Sequence, residues 1–344
     1  MKAKTYFITG GLGFIGAHFV HYLHNTNPSA RIVVIDKKTY AANPERITEL
    51  IVKGRVFLEE TDIADQKNIH ALFLKYHPEV VINFAAESHV DNSIQGPSVF
   101  LETNVKGTFT LLEEARKLWL DGINDLKSDF KSATFYQIST DEVFGSLGHE
   151  GYFNEKSNYA PSSPYSASKA AADHWVKSYH HTYGLPVLLS YCSNNFGPHQ
   201  HAEKLIPTII NKALNHQPIP IYGSGENIRD WLYVEDHCTA IACVLEKGKK
   251  GECYAIGASN EHNNLSICHL VLTCLDHIHP RKDGTSYSSQ VAFVADRPGH
   301  DFRYAIDASK IKTELKWLPK VSFEKALETT VTHYLDQYLH QKSQ

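Results

Sequence analysis

Up to about residue 191, short β-branched segments alternate with amphipathic ones. The apolar runs that are typical of strands in a buried parallel sheet lie at 5–9, 31–35, 56–59, 80–84, 186–191 and from Thr134 onwards. Apolar residues at helical spacing predict helices after the first run to about His24, and over 65–75, 99–118 and 163–181. This alternation predicts an α/β fold with a doubly wound parallel sheet of the Rossmann type.

The character of the sequence changes after Asn194-Asn195-Phe196-Gly197-Pro198. Pro, Gly and His become frequent, the segments shorten and the regular alternation stops. We therefore predict a Rossmann domain over 1–193 and a second, smaller α/β domain over 194–344 that binds the substrate. Segments near 230–257 are expected to join the first domain.

The run that begins at Thr134 ends in Ser139, Thr140, Asp141 and Glu142. Ligands of open parallel sheets bind beyond the carboxyl ends of the strands, so these side chains are candidates for catalysis. The alternative is that they only cap the next helix. Tyr165-Ser-Ala-Ser-Lys169 favours catalysis, because it places a phenol and an ammonium one helical turn apart on one face.

A glycine-rich turn follows the first predicted strand and precedes the first helix. Gly10, Gly13 and Gly16 in such a turn let the backbone approach a pyrophosphate at the helix N-terminus. Asp36 ends the second strand, where a carboxylate binds ribose hydroxyls and repels a 2′-phosphate. This favours NAD over NADP, although Lys37 and Lys38 leave room for the phosphate.

Two further strand ends carry candidate contacts. Asp62 and Ile63 follow the third strand, where a carboxylate and an apolar side chain suit an adenine ring; capping of the next helix is an equal alternative for Asp62. Ala85 and Ala86 follow the fourth strand and allow close contact with a cofactor. The polar residues over 87–91 are expected to face the substrate.

Composition narrows the class of partner. The chain has 344 residues, 42% of them hydrophobic, and a net charge of −4 without a basic face, so we expect a small-molecule partner and neither nucleic acid nor membrane. Six cysteines without a C-x-x-C pair, and the lack of an export signal, predict a cytoplasmic protein with reduced thiols. None of the 21 histidines shows metal-ligand spacing, so no metal is expected.

Other features leave alternatives open. The helices over 99–118 and 163–181 carry apolar stripes that suit either a homodimer interface or the core. Arg229 and Arg297 suit a diphosphate clamp, because the guanidinium matches phosphate oxygens, and suit surface ion pairs equally well.

Several motifs occur in order: TGGLGFIG, NFAAESHVDNSI, STDEVFG, YSASK, SNNFGPHQHAEKLIP, RDWLYVEDH and DRPGHDFRYAID. With them, the chain from Lys4 to about Val321 resembles the dTDP-glucose 4,6-dehydratases of the extended short-chain dehydrogenase/reductase group. The Asp141-Glu142 pair is the specific part, since similar epimerases carry small or hydroxyl residues there. Departures from the family pattern are Phe144, Phe196, Phe302 and the stretch 199–202.

The resemblance implies a set of binding residues in addition to the glycine turn. Those assigned to NAD are Ile15, Gly16, Asp36, Lys37, Lys38, Thr39, Asp62, Ile63, Ala85, Ala86, Thr103, Tyr165, Lys169 and Asn195. Those assigned to a nucleotide sugar are Ser88, Thr140, Asn194, Lys204, Leu205, Pro220, Ile221, Tyr222, Arg229, Asn264, Asp296, Arg297, Pro298, Gly299 and His300.

The resemblance also implies a mechanism. Tyr165, with its pKa lowered by Lys169, takes the C4 hydroxyl proton while Thr140 holds that hydroxyl. Glu142 then removes the C5 proton, and a protonated Asp141 donates to the departing C6 hydroxyl. The alternatives are a nucleotide-sugar 4-epimerase or decarboxylase, and a non-catalytic NAD sensor. Since the shape of the base pocket decides the nucleotide, the residues leave dTDP, UDP, CDP and GDP open.

Overall fold

A computed structural model describes residues 4–296 and 299–343. Its strands are β1 Thr5–Thr9, β2 Arg31–Asp36, β3 Val56–Glu60, β4 Val80–Asn83, β5 Leu120–Gly122, β6 Asp125–Leu126, β7 Thr134–Thr140, β8 Val187–Cys192, β9 Asn194–Phe196, β10 Ile219–Tyr222, β11 Ile228–Tyr233, β12 Cys253–Ile256, β13 Glu261–Asn263 and β14 Val291–Val294. Its helices are α1 Phe14–Thr26, α2 Glu45–Val52, α3 Gln66–Tyr76, α4 Val90–Gln95, α5 Pro97–Phe100, α6 Thr108–Trp119, α7 Pro164–Tyr183, α8 Leu205–Leu214, α9 Val234–Lys247, α10 Asn264–Ile278, α11 Ser309–Leu315 and α12 Phe323–Lys342.

A seven-stranded sheet with the order β12-β8-β7-β4-β1-β2-β3 forms the centre of the protein. All of its strand pairs are parallel. Apolar clusters cover both faces, as a parallel sheet requires: one centres on α1 and α9, the other on α3, α6 and α7. The predicted doubly wound sheet is therefore confirmed, and β12 adds a strand that the sequence pattern did not single out.

The predicted helix over 99–118 is divided. The structure has α5, then a π-helical segment Leu101–Gly107, then α6. Such π segments often lie at functional sites, because the wider turn shifts the side chains around the axis. Here the segment presents Thr103 and Asn104 inward.

The residues after 194 form smaller sheets. β11 pairs with β9 in parallel and with β13 in antiparallel orientation, and β10 pairs with β14. A third apolar cluster lies between these strands and α8, α10 and α12. Since α9 and β12 pack in the large sheet's layers, the chain returns to the first unit before it ends. The boundaries at 1–193 and 194–344 stay a prediction.

Over the described ranges 4–296 and 299–343, every helix is too short or too polar to cross a membrane.

Asn83, at the carboxyl end of β4, connects three strands and a helix beneath the site. Its Oδ1 accepts from the Thr9 hydroxyl at 2.6 Å, and its Nδ2 donates to Gln137 Oε1 at 2.9 Å and to Thr108 Oγ1 at 3.1 Å. All four side chains are buried. The strand ends β1, β4 and β7 are thereby fixed relative to one another.

We predict that Asn83→Ala lowers the free energy of unfolding by about 2–5 kcal/mol, because it leaves two or more buried polar groups without partners. Urea denaturation measures the loss. The side chain of the exposed Asn92 donates to Tyr40 at 3.3 Å, so Asn92→Ala serves as the control and should change stability by less than about 0.5 kcal/mol. A loss below about 1 kcal/mol for Asn83→Ala would show that the network contributes little.

Candidate active site

A cavity of about 310 Å³ opens at the carboxyl ends of β1, β2, β4, β7 and β8. Residues predicted for the site that line it are Gly10, Gly13, Ile15, Gly16, Asp36, Lys37, Thr39, Asp62, Ile63, Ala85, Ala86, Ser88, Thr103, Thr140, Asp141, Glu142, Tyr165, Lys169, Asn194, Asn195 and Lys204. The structure thus brings the cofactor and catalytic candidates together.

The glycine turn is shaped for close approach by a ligand. Gly10 has φ +64°, and a Cβ there would lie 2.7 Å from the Ala85 nitrogen; a Cβ at Gly16 would lie 2.3 Å from the Gly10 oxygen. Helix α1 begins after Gly13 without a side-chain cap and without acidic residues in its first turn. Its N–H groups and positive dipole end therefore suit the diphosphate of a dinucleotide.

Asp36 supports the turn as well as facing the cavity. The backbone N–H groups of Leu12 and Lys38 donate to its two oxygens at 3.1 and 2.8 Å. Burial raises its pKa, while these hydrogen bonds and the neighbouring lysines oppose the rise. Each oxygen keeps acceptor capacity for a ribose hydroxyl.

The two lysines after Asp36 are already engaged by acidic and hydroxyl side chains. Lys37 Nζ donates to Thr103 at 2.8 Å and lies 3.5 Å from Asp62 and 3.7 Å from Glu87. Lys38 forms an ion pair with Glu60 and lies outside the cavity lining. Two carboxylates beside Lys37 disfavour a 2′-phosphate there.

Asp62 does not cap the following helix. Asp65 is the N-cap of α3 and accepts from the Asn68 N–H at 3.1 Å, whereas Asp62 accepts from the Ala64 N–H at 2.9 Å and lines the cavity. The helix-cap alternative for Asp62 is therefore wrong.

Asp141 is buried at the end of β7. Its Oδ1 accepts from the Thr140 hydroxyl at 3.3 Å, and its Oδ2 has no hydrogen-bond partner within the described part of the chain. Burial, followed by the negative charges of Glu142 and Asp230, raises its pKa well above the usual range of a carboxyl group. This shift favours the protonated form of Asp141, which the expected acid role requires; that role stays a prediction.

In this structure the pKa of Tyr165 is raised rather than lowered, and the expected influence of Lys169 on it stays a prediction. Burial and the nearby Glu142 carboxylate raise that pKa well above 10, and a hydrogen bond with Thr140 only partly opposes them. Lys169 is itself buried and donates from Nζ to the Ile138 carbonyl at 2.7 Å. Burial lowers the pKa of its ammonium group.

Arg229 is not on the surface, so the surface ion-pair alternative is wrong for it. It is 5% exposed, stacks 4.2 Å above the Tyr304 ring, and donates to the carbonyls of Ile228, Asp301 and Phe302. It lies outside the cavity lining but close enough to Asp141 to lower the pKa of that carboxyl. Its role as a diphosphate clamp stays a prediction.

Other predicted sugar contacts lie away from the cavity lining. They are Leu205, Pro220, Ile221, Tyr222, Asn264, Asp296, Gly299 and His300. Ile221 packs into the third apolar cluster, and Leu205 is half-buried against it, so the structure does not present the Ile221 side chain to a ligand. His300 hydrogen-bonds Asp296 at 2.7 Å. Arg297 and Pro298 lie outside the described residues.

The sequence analysis missed several lining residues. Glu203 faces His89 at 3.8 Å and His201 at 3.5 Å, and the His201 ring packs edge-on against Tyr40. The others include Phe14, Ala41, Ala42, Cys192, Ser193 and Gln200. His201 and Glu203 belong to the motif SNNFGPHQHAEKLIP, which was the available signal. Among described residues, no group of three or more His, Cys, Asp or Glu side chains is placed to hold a metal ion.

The known proteins that this chain is similar to are nucleotide-sugar dehydratases. A family model described as GDP-mannose 4,6 dehydratase matches residues 7–330. The dTDP-glucose 4,6-dehydratase of Xanthomonas campestris pv. campestris (strain B100) is 49% identical over 331 residues, which cover 96% of this chain and 93% of that protein. The dTDP-glucose 4,6-dehydratase of Salmonella typhimurium (strain LT2) is 49% identical over 338 residues, covering 95% and 92%.

A solved structure is similar over the whole chain. The dTDP-glucose 4,6-dehydratase DesIV of Streptomyces venezuelae, crystallised with NAD and TDP bound, is 40% identical and matches with a TM-score of 0.87 over 98% of each chain.

The raised pKa of Asp141 predicts a pH-dependent cost to stability. In the unfolded chain the carboxyl ionises near its ordinary pKa of 3.8, whereas in the folded protein it stays protonated to higher pH. The contribution of this carboxyl group to the free energy of unfolding is therefore fully present below its pKa in the unfolded chain. It is lost as pH rises through its pKa in the folded protein, by about 1.4 kcal/mol for each pKa unit between the two states.

We expect Asp141→Asn to be more stable than the unmodified protein at pH 8 and equal to it near pH 4. Urea denaturation at several pH values measures this difference. Asp129→Asn, on an exposed turn, is the matched control and should leave the pH dependence unchanged. Equal stability of Asp141→Asn and the unmodified protein at pH 8 would mean that Asp141 ionises normally.

Proposed function

The chain belongs to the dTDP-glucose 4,6-dehydratase family, and we propose that it converts dTDP-glucose to dTDP-4-keto-6-deoxyglucose with the residues around this cavity. The observation that supports this most directly is the Asp141-Glu142 pair at the end of β7, in one cavity with Tyr165 and Lys169. Only an elimination needs both an acid and a base beside the oxidising centre. A 4-epimerase has no use for this pair, and an NAD sensor has no reason to keep all four residues together.

NAD is the cofactor of the family, and the residues of this chain fit it. When bound, it accepts the hydride from C4, returns it at C6 and brings a positively charged ring. Gly10, Gly13 and Gly16 leave room for the diphosphate at the start of α1, and Asp36 accepts from the ribose hydroxyls. Asp62 and Ile63 lie where the adenine ring would bind.

Oxidation at C4 requires a base for the hydroxyl proton. Tyr165 takes this role, with Thr140 holding the same hydroxyl at the end of β7. Because burial and Glu142 raise the pKa of Tyr165, the phenol ionises only when positive charge lies close to it. Lys169, on the same face of α7, supplies one such charge.

Elimination follows from the acidity that the C4 ketone gives to C5. Glu142 removes the C5 proton, and Asp141 donates a proton to the C6 hydroxyl, which leaves as water. The raised pKa of Asp141 suits it to be the acid, because a carboxyl group must hold a proton in order to donate one. Glu142 exchanges its proton with solvent and then delivers a proton to C5.

The nucleotide sugar enters from the side of the smaller unit. Ser88, Asn194 and Lys204 line the cavity and are proposed to contact the sugar and diphosphate. The remaining predicted contacts on β10, α10 and the segment after β14 would meet the nucleotide farther out. The family and the TDP-bound relative support dTDP as the nucleotide.

A homodimer is proposed from an apolar stripe on neighbouring helices. Leu101, Val105 and Phe109 are spaced four residues apart, and the partly exposed Trp175 of α7 packs 5.3 Å from Phe109. Leu101 is 61% exposed. Thr103, which lies between Leu101 and Val105, contacts Lys37, so a partner on this stripe would also stabilise the cofactor side of the cavity.

The six free thiols support a cytoplasmic location.

The activity is tested by incubating the purified protein with dTDP-glucose in D₂O and recording proton NMR spectra. We expect a C6 methyl signal with deuterium at C5. Glu142→Gln should slow this dehydration by about 100-fold or more, while the absorbance change that accompanies C4 oxidation persists.

Glu150→Gln, on an exposed loop, is the matched control and should keep full activity. Inversion at C4 without a methyl signal would instead identify an epimerase. Unchanged dehydration by Glu142→Gln would remove Glu142 as the base.

The proposed dimer is tested by Leu101→Glu, which places a charge on the most exposed residue of the stripe. We expect sedimentation velocity to show a dimer for the unmodified protein and a monomer for this variant, since a buried unpaired charge is costly. Val52 of α2 is 80% exposed outside the stripe, so Val52→Glu should remain dimeric. A monomeric unmodified protein would exclude the dimer.

A further inference from the structure

Asp173 is a buried acidic residue that the proposed mechanism does not use. It lies on α7 one turn after Lys169 and is fully buried. Its Oδ2 accepts from the Ser139 hydroxyl at 2.6 Å and from the Tyr159 hydroxyl at 3.4 Å, and its Oδ1 has no hydrogen-bond partner among the described residues. A buried carboxylate that is only partly satisfied is costly, so its presence beside the cavity needs a reason.

Lys169 and Asp173 attach α7 to the end of β7 at two adjacent points. Lys169 donates to the Ile138 carbonyl, and Asp173 accepts from Ser139, the next residue of β7. Thr140 and Asp141 follow directly in the chain. The position of α7 relative to the catalytic strand end therefore depends on both contacts.

The two side chains also compensate each other's charge. Burial lowers the pKa of Lys169, and the carboxylate of Asp173 is the largest influence that opposes this. Conversely, burial raises the pKa of Asp173 to about 6, and Lys169 is the largest opposing influence. The ionisable groups that face Asp173 are Lys169 and Lys177 on α7, Tyr159 before it, Tyr191 on β8 and Cys253 on β12.

We propose that Asp173 is a positioning residue that keeps the buried Lys169 charged and oriented towards the cofactor and Tyr165. This rests on the proposed function, in which the Lys169 cation assists Tyr165. Asp173 touches neither the cavity nor the reacting atoms, so it acts through Lys169.

The proposal makes a signed prediction about pH. Without the carboxylate, the pKa of Lys169 falls further, so the cation is lost at lower pH than in the unmodified protein. An opposite charge at this range typically shifts a pKa by about one unit or more. The alkaline limb of the kcat/KM profile for dehydration should therefore move to lower pH by about one unit in Asp173→Asn, with a loss of up to about tenfold along that limb.

A second measurement does not depend on dehydration. NAD affinity, measured by quenching of tryptophan fluorescence in the absence of sugar, should weaken by up to about tenfold over the pH range of the alkaline limb and by less than about threefold at pH 6 in Asp173→Asn. If the unmodified protein fails to dehydrate dTDP-glucose, the proposed function fails, yet this binding measurement still tests Asp173.

Two further variants separate charge from structure. Asp173→Glu keeps the carboxylate and should restore the alkaline limb, whereas Tyr159→Phe removes a hydrogen bond to Asp173, keeps the charge and should leave the limb in place. Thermal unfolding shows that each variant is folded. An unmoved limb and a pH-independent loss of NAD affinity in Asp173→Asn would overturn the proposal, as would an equal shift in Tyr159→Phe.

Discussion

The desolvation of a few ionisable groups at the carboxyl end of β7 governs the chemistry of this site. Burial raises the pKa values of Asp141 and Tyr165 and lowers that of Lys169. Each of these shifts favours the neutral form of its side chain. Activity therefore depends on which of the three side chains regains its charge. The apolar layers on both faces of the sheet create this environment, because they exclude water from everything but the open strand ends.

The parts of the site that lie at strand ends were predictable from the sequence. Asp36, Asp62, Ala85 and Thr140 each follow a β-branched run, and parallel strands bring all such positions to one edge. Local spacing also gave the Tyr165 and Lys169 pair on α7. The pKa of Tyr165 was not predictable in the same way, because it depends on burial and on Glu142, which the spacing along α7 does not show.

The smaller unit was predicted less well, for a physical reason. Its strands are short and pair across long stretches of chain, so no local period shows which face of β10 or β11 is buried. Ile221 therefore turned out to pack in the core, and Arg229 to lie beneath the backbone of 301–302. Resemblance to a family can name such positions, but their environment depends on contacts that are distant in sequence.

The late return of the chain to the large sheet has a consequence for biosynthesis. Strand β8 ends at Cys192, but its outer neighbour β12 begins only at Cys253, after much of the second unit has been translated. Until β12 has left the ribosome, the apolar edge of β8 remains open to pairing with other nascent chains. The rate of elongation between these two strands thus sets how long the growing polypeptide is exposed to aggregation and to chaperones.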